Sequence, residues 1–156
     1  MNTLFKRIIV SICVVVVVYL CFILLQATGP KSIRPDNVED PILRPVLFSL
    51  ADKVDANPND ANPRMKLGMT YEGAGMNELA EQTYQQYVEA FPKRVIGWYR
   101  LAIVQHKQGK VDDAIFSLTN GAKFAPDTMD APHWQLAFWY IDVGEIARAK
   151  EQLNFA

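Results

Sequence analysis

One spacing governs this chain. Pro58, Pro92 and Pro126 lie 34 residues apart, as do Gly75 and Gly109, Ala80 and Ala114, and Leu67 and Leu101. A fixed period of that length predicts a helical repeat over residues 61–127, in which each unit is a pair of helices that cannot bury its apolar face without a neighbour. A third unit starts one residue late, at Asp130, and runs to Ala156.

Within the period the residue types follow a set order. The first copy holds Arg64, Leu67, Gly68, Tyr71, Gly75, Ala80, Tyr84 and Pro92, with Tyr87 where a small residue is usual. The second holds Trp98, Leu101, Ala102, Gln105, Gly109, Ala114, Leu118, Gly121 and Pro126, and the third His133, Leu136, Ala137, Tyr140, Gly144, Ala149 and Leu153. This order resembles the tetratricopeptide repeat, which implies an all-α solenoid. Repeats span 61–94, 95–128 and 130–156, the last truncated. Gly68, Ala102 and Ala137 then sit where paired helices approach closely, and Gly75, Gly109 and Gly144 close the first helix of each pair in positive φ. Leu67, Tyr71, Tyr84, Trp98, Leu101, Leu118, Leu136, Tyr140 and Leu153 form the expected core.

Upstream, Leu47, Leu50 and Val54 fall at helical spacing, and the helix stops before Asn57-Pro58. Since Pro58 is in register with Pro92, residues 42–57 read as the second helix of a repeat lacking its first, packed on the array as a lead-in. Four prolines between Pro30 and Pro45 forbid a continuous helix through residues 29–41, which read as an extended spacer.

Residues 1–28 read as an N-terminal anchor. From Ile8 to Leu25 there is no charge, proline or glycine. As a helix this run is about 27 Å long, close to the thickness of a hydrocarbon core. A cleaved signal peptide fits less well, because Ala27-Thr28-Gly29 places Pro30 directly after the cut. The expected fold class is therefore all-α, with a single transmembrane helix, a lead-in helix and about three tetratricopeptide repeats. Lys6 and Arg7 beside the run favour a cytoplasmic N-terminus, a single-pass inner-membrane location and periplasmic repeats if the source is bacterial. The lipid bilayer is then a partner through residues 8–25.

Residues 29–156 carry 14 basic and 17 acidic side chains. With no basic surplus to neutralise a phosphate backbone, no nucleic-acid partner is expected. Cys13 and Cys21 both lie in the apolar run, so no disulfide or thiolate site is expected in the repeats. There is no HExxH, glycine-rich phosphate loop or GxSxG, and we expect no enzyme activity, cofactor, metal or catalytic residue. His106 suits the end of a first helix through the helix dipole, and His133 replaces the usual bulky residue as packing.

The resemblance also assigns a groove. Matched residue by residue, Met65, Met69 and Glu72, then Tyr99, Ile103 and His106, then Trp134, Phe138 and Ile141 line the concave face. Most are large and apolar, and Met suits an adaptable binding surface. The Lys and Asn clamp of the family's chaperone-binding branch is replaced here by Met, Tyr and Trp. Either a partner protein fills this groove, or the chain's own lead-in helix or linker covers it. A second docking edge is expected at Ile146, Leu153 and Phe155, since no polar capping helix follows them.

The whole reads as a protein–protein interaction adaptor binding a partner during assembly of an envelope complex. Residues 49–71, with Asn57-Pro58-Asn59-Asp60 before Leu67-Gly68, are similar to tetratricopeptide accessory proteins of bacterial cytochrome c maturation. The alternative is a permanent single-span accessory subunit of a respiratory, photosynthetic or secretion complex, with subunits of such a complex as the protein partners.

Overall fold

The computed structural model describes residues 12–20, 29–126 and 128–154. Helix α1 is described over 12–20, and seven further helices follow: α2 (Leu43–Ala56), α3 (Ala61–Gly73), α4 (Asn77–Ala90), α5 (Val95–Lys107), α6 (Val111–Ala122), α7 (Ala131–Asp142) and α8 (Ile146–Leu153). Helices from α2 onward pack principally on their neighbours in sequence, as a helical-repeat solenoid requires.

The expected membrane span is corrected. Among the described residues no helix is long and apolar enough to cross a membrane. Residues 8–11 and 21–25 of the predicted span lie outside the described residues. The single-pass inner-membrane location, the cytoplasmic N-terminus, the periplasmic placement of the repeats and the bilayer contact through 8–25 all rested on that span and fall with it.

The repeat turns form as the glycines dictate. Gly75, Gly109 and Gly144 have φ of 73°, 75° and 79°, and they are the positive-φ residues among those described. The residue after each glycine donates its N–H five residues back, Met76 to Tyr71 (2.9 Å), Lys110 to Gln105 (3.0 Å) and Glu145 to Tyr140 (2.7 Å). This hydrogen bond ends each first helix and reverses the chain into the second. The second helices α4 and α6 carry acids in their first turn, where the dipole favours them: Glu78 in α4 and Asp112 and Asp113 in α6.

Two apolar clusters hold the stack. Leu47, Ala51 and Val54 of α2 meet Leu67, Tyr71, Tyr84, Tyr87 and Leu101 in the first, which makes α2 an integral layer. Ala102, Ala114, Leu118, Leu136, Trp139, Tyr140 and Ala149 form the second. At Gly68 a side chain is impossible without movement, since an added Cβ stands 2.5 Å from the Tyr84 ring. Two residues expected in the core differ. Trp98 is half-buried, its indole donating to the Pro92 carbonyl at 2.8 Å, and Leu153 is exposed.

Residues 29–34 are extended, but they do not stand clear of the repeats. They form a strap across the furrow between α2 and α4, over α3. Gly29 packs against Pro58 too closely to admit a Cβ. Buried Arg64 donates to the Pro30 carbonyl (3.1 Å), Gln86 to that of Lys31 (3.1 Å) and the Tyr71 hydroxyl to that of Ile33 (2.7 Å). The Ser32 N–H donates to Asp55 (2.7 Å), and the Arg34 guanidinium meets Asp52 (2.9 Å) and Asp55 (2.7 Å). Four consecutive residues thus each pair a backbone group with a side chain of the helices. The cost of burying Arg64, another 2.6 Å contact of which is to Gln86, is partly met by this strap.

Candidate functional site on the first helices

Spacings of four and three residues put 65, 69 and 72 on one face of α3, and likewise 99, 103 and 106 on α5 and 134, 138 and 141 on α7. The strap lies elsewhere, on Asp52, Asp55, Arg64, Tyr71 and Gln86, and its polar contacts include none of the nine. Further along the linker, Val38 is buried in the cluster on which Met65 packs.

The nine residues divide into three groups. Met65, Tyr99 and Ile103 are half-buried and pack on the two core clusters. Glu72 and His106 join one repeat to the next. The Glu72 carboxylate, its side chain only 10% exposed, meets Lys107 at 2.7 Å and Arg100 at 3.4 Å and accepts from the Tyr84 hydroxyl at 3.0 Å. Burial works against its ionisation, but hydrogen bonds from Lys107 and Tyr84 and the charges of Lys107 and Arg100 outweigh it, holding the group below the ordinary carboxylate range. Burial first, and then the Glu72 charge, raises the Tyr84 hydroxyl well above its usual value. His106, 34 residues on from Glu72, instead stacks on Trp139 of α7 with ring centroids 4.7 Å apart and planes within 6°.

The remaining four face solvent. Met69 is 44% exposed, Trp134 48%, Phe138 57% and Ile141 49%. Trp134 and Phe138 sit 6.5 Å apart, a tilted aromatic pair one helical turn long. The apolar area is therefore concentrated on α7, at the third repeat.

The sequence reading missed an extension of this face. Ile96, three residues before Tyr99, lines an apolar cavity of about 350 Å³ with Val95, Tyr99, Met129, Ala131 and Pro132, between the starts of α5 and α7. Continuing the helical row one turn backwards from Tyr99 would have found Ile96. Met129 comes from the loop, which no periodicity reaches.

At the second predicted edge, Ile146 and Leu153 are exposed, while Phe155 lies outside the described residues. Near Ile146 lies a cavity of about 440 Å³ whose lining includes Phe116, Tyr140, Val143 and Arg148. Of the histidines, His133 bonds through Nδ1 to Gln152 of α8 at 2.9 Å. Among the described residues no group of three or more His, Cys, Asp or Glu could hold a metal ion.

Comparison with known proteins agrees with this architecture. The tetratricopeptide repeat family matches residues 64–94, which is the first repeat. No curated protein matches. Among solved structures, one titled "Crystal structure of MamA" is 20% identical with a TM-score of 0.62, covering 70% of this chain and 63% of that one. MamA from Desulfovibrio magneticus RS-1, residues 41 to the end, is 15% identical with a TM-score of 0.61, over 72% of this chain and 63% of that one. The chain thus spans about 63% of the length of these proteins, and the likeness is one of fold.

Proposed function

We propose that the chain is a protein-binding adaptor whose first-helix face receives a segment of a partner protein. One observation carries this reading: Met69, Trp134, Phe138 and Ile141 remain exposed on a face whose other members are engaged in packing. Clustered large apolar side chains on a folded surface mark interaction sites, and aromatic residues dominate such contacts. The cavity beside Ile96 and Tyr99 offers an anchor point at one end of the same face.

Binding, and not catalysis, is the activity we infer. Both histidines are engaged within the fold, His106 stacked on Trp139 and His133 hydrogen-bonded to Gln152. The narrower reading, in which the partner is a component of an envelope complex under assembly such as that of cytochrome c maturation, draws on the likeness of residues 49–71 alone. The structures named above add nothing to it.

The test is quantitative capture from the native source with the full chain and with Trp134→Ala/Phe138→Ala. A protein retained at fixed stoichiometry by the parent and lost by the variant, at unchanged helicity, is the expected result. Equal retention by both would place the partner elsewhere on the molecule.

A further inference from the structure

The strap shows what this chain uses to hold an extended segment. Pro30, Lys31, Ser32 and Ile33 each pair a backbone group with a helix side chain, supplied by Arg64, Gln86, Asp55 and Tyr71 in turn. An extended chain needs such partners residue by residue, because its backbone groups do not bond one another.

The first-helix face is equipped differently. Ala131, Trp134, Phe138 and Ile141 form one exposed row on α7, spaced three, four and three residues apart. Their side chains carry a single hydrogen-bond donor, the Trp134 indole N–H, and no acceptor. On the neighbouring helices the Glu72 carboxylate is already engaged by Lys107, Arg100 and Tyr84, and His106 is stacked on Trp139. A segment laid along the row must therefore bond its own backbone, as a helix does. The three-four spacing is also that of a seam on which a second helix packs, here about 15 Å long. At its start Ala131 lines the apolar cavity shared with Ile96 and Tyr99.

Charge marks both ends of this seam. Asp130 precedes the row and Asp142 follows it, both exposed and neither in an ion pair among the described residues. The matching places of the second repeat hold Val95 and Lys107, so the acids are particular to the third. An occupant that complements them is basic at its two ends and apolar between.

We propose that the segment taken by the first-helix face is an amphipathic α-helix of a partner protein. Its apolar side chains lie at three-four spacing against α7, one of them in the cavity beside Ile96, and its Lys or Arg residues meet Asp130 and Asp142. The inference rests on the adaptor reading and narrows it to one class of segment.

Two blocked peptides of identical Leu and Lys composition serve as probes, titrated into the full chain by calorimetry and NMR. One sets Leu at three-four spacing, amphipathic as a helix, and the other alternates Leu with Lys, amphipathic as a strand. The first should bind saturably and take up helix-type Cα chemical shifts in the complex. Trp134→Ala/Phe138→Ala, at two exposed positions, should weaken it about tenfold or more at unchanged helicity. Asp130→Asn/Asp142→Asn should weaken it roughly twofold to fivefold and flatten its salt dependence. Equal or tighter binding of the alternating peptide, lost in Trp134→Ala/Phe138→Ala, would overturn the helix and leave the face a binding face. If the helical peptide does not bind, or binds that variant as well as the parent, the helix also fails, and capture from the native source decides the adaptor reading by itself.

Discussion

The two junctions between repeats sit in the same register and are held by opposite chemistry. At the first, Glu72 gathers Arg100, Lys107 and the Tyr84 hydroxyl into a charged cluster between α3 and α5. At the second, His106 lies flat on Trp139 beside an apolar cluster. The period decides where neighbouring repeats touch. The side chain at that place decides which conditions the contact survives, since a charge-assisted cluster responds to protonation and salt, and aromatic burial responds to shape.

The largest effect should come from the aromatic junction. Trp139→Ala removes a side chain only 3% exposed from the second cluster and is expected to destabilise the chain by about 3–5 kcal/mol, measured by chemical denaturation. If the loss is no greater than that of Glu72→Gln, the contrast between the junctions is wrong. Gly68→Val should follow, because its first added carbon already meets the Tyr84 ring, and overpacking of this kind costs about 1–3 kcal/mol. Next comes Glu72→Gln, which leaves Lys107 and Arg100 without their carboxylate and should cost about 1–3 kcal/mol.

A pH titration sharpens the comparison. Glu72 and Glu81 both have pKa values lowered in the folded chain: burial opposes this in each case, while Lys107 and Tyr84 hold Glu72 ionised and Lys110 and Gln108 hold Glu81 ionised. Such groups stabilise the fold above the unfolded carboxylate pKa of about 4.3, and that contribution disappears as the pH falls through the lower folded value. Acid should therefore weaken hydrogen-exchange protection across α3, α4 and α5 before it affects the junction of α5 with α7, and Glu72→Gln should remove part of that difference. The smallest effect is expected for Arg34→Ala. Its ion pairs are exposed, so the midpoint of thermal unfolding should barely move while proteolysis at residues 30–34 accelerates.

The solenoid was legible because its signals are local and repeated. Gly75, Gly109 and Gly144 fix the turns through backbone conformation, and Leu67, Leu101 and Leu136 fix the buried stripe, so one period of the sequence describes the next. The strap was not legible, for a physical reason. Its contacts are made to main-chain groups that every residue possesses, so Pro30 to Ile33 carry no side-chain pattern that announces their partners. Glu72 was read from the sequence as a groove residue, while its observed partners, Arg100 and Lys107, stand 28 and 35 residues away, contacts that the residue order within one repeat does not announce. In the N-terminal apolar run, composition alone gave a length suited to a bilayer. Among the described residues no helix is long and apolar enough to cross one.

The hydrogen bond from the Tyr71 hydroxyl to the Ile33 carbonyl joins residues 38 apart, and that from Gln86 to Lys31 joins residues 55 apart. In a stack that packs principally on neighbouring helices, these are stitches that close a long loop, and loop closure is entropically costly to form early. The array gains a direction from them. Removal of residues 29–34 should therefore lower hydrogen-exchange protection in α2 and α3 before it affects α7 and α8.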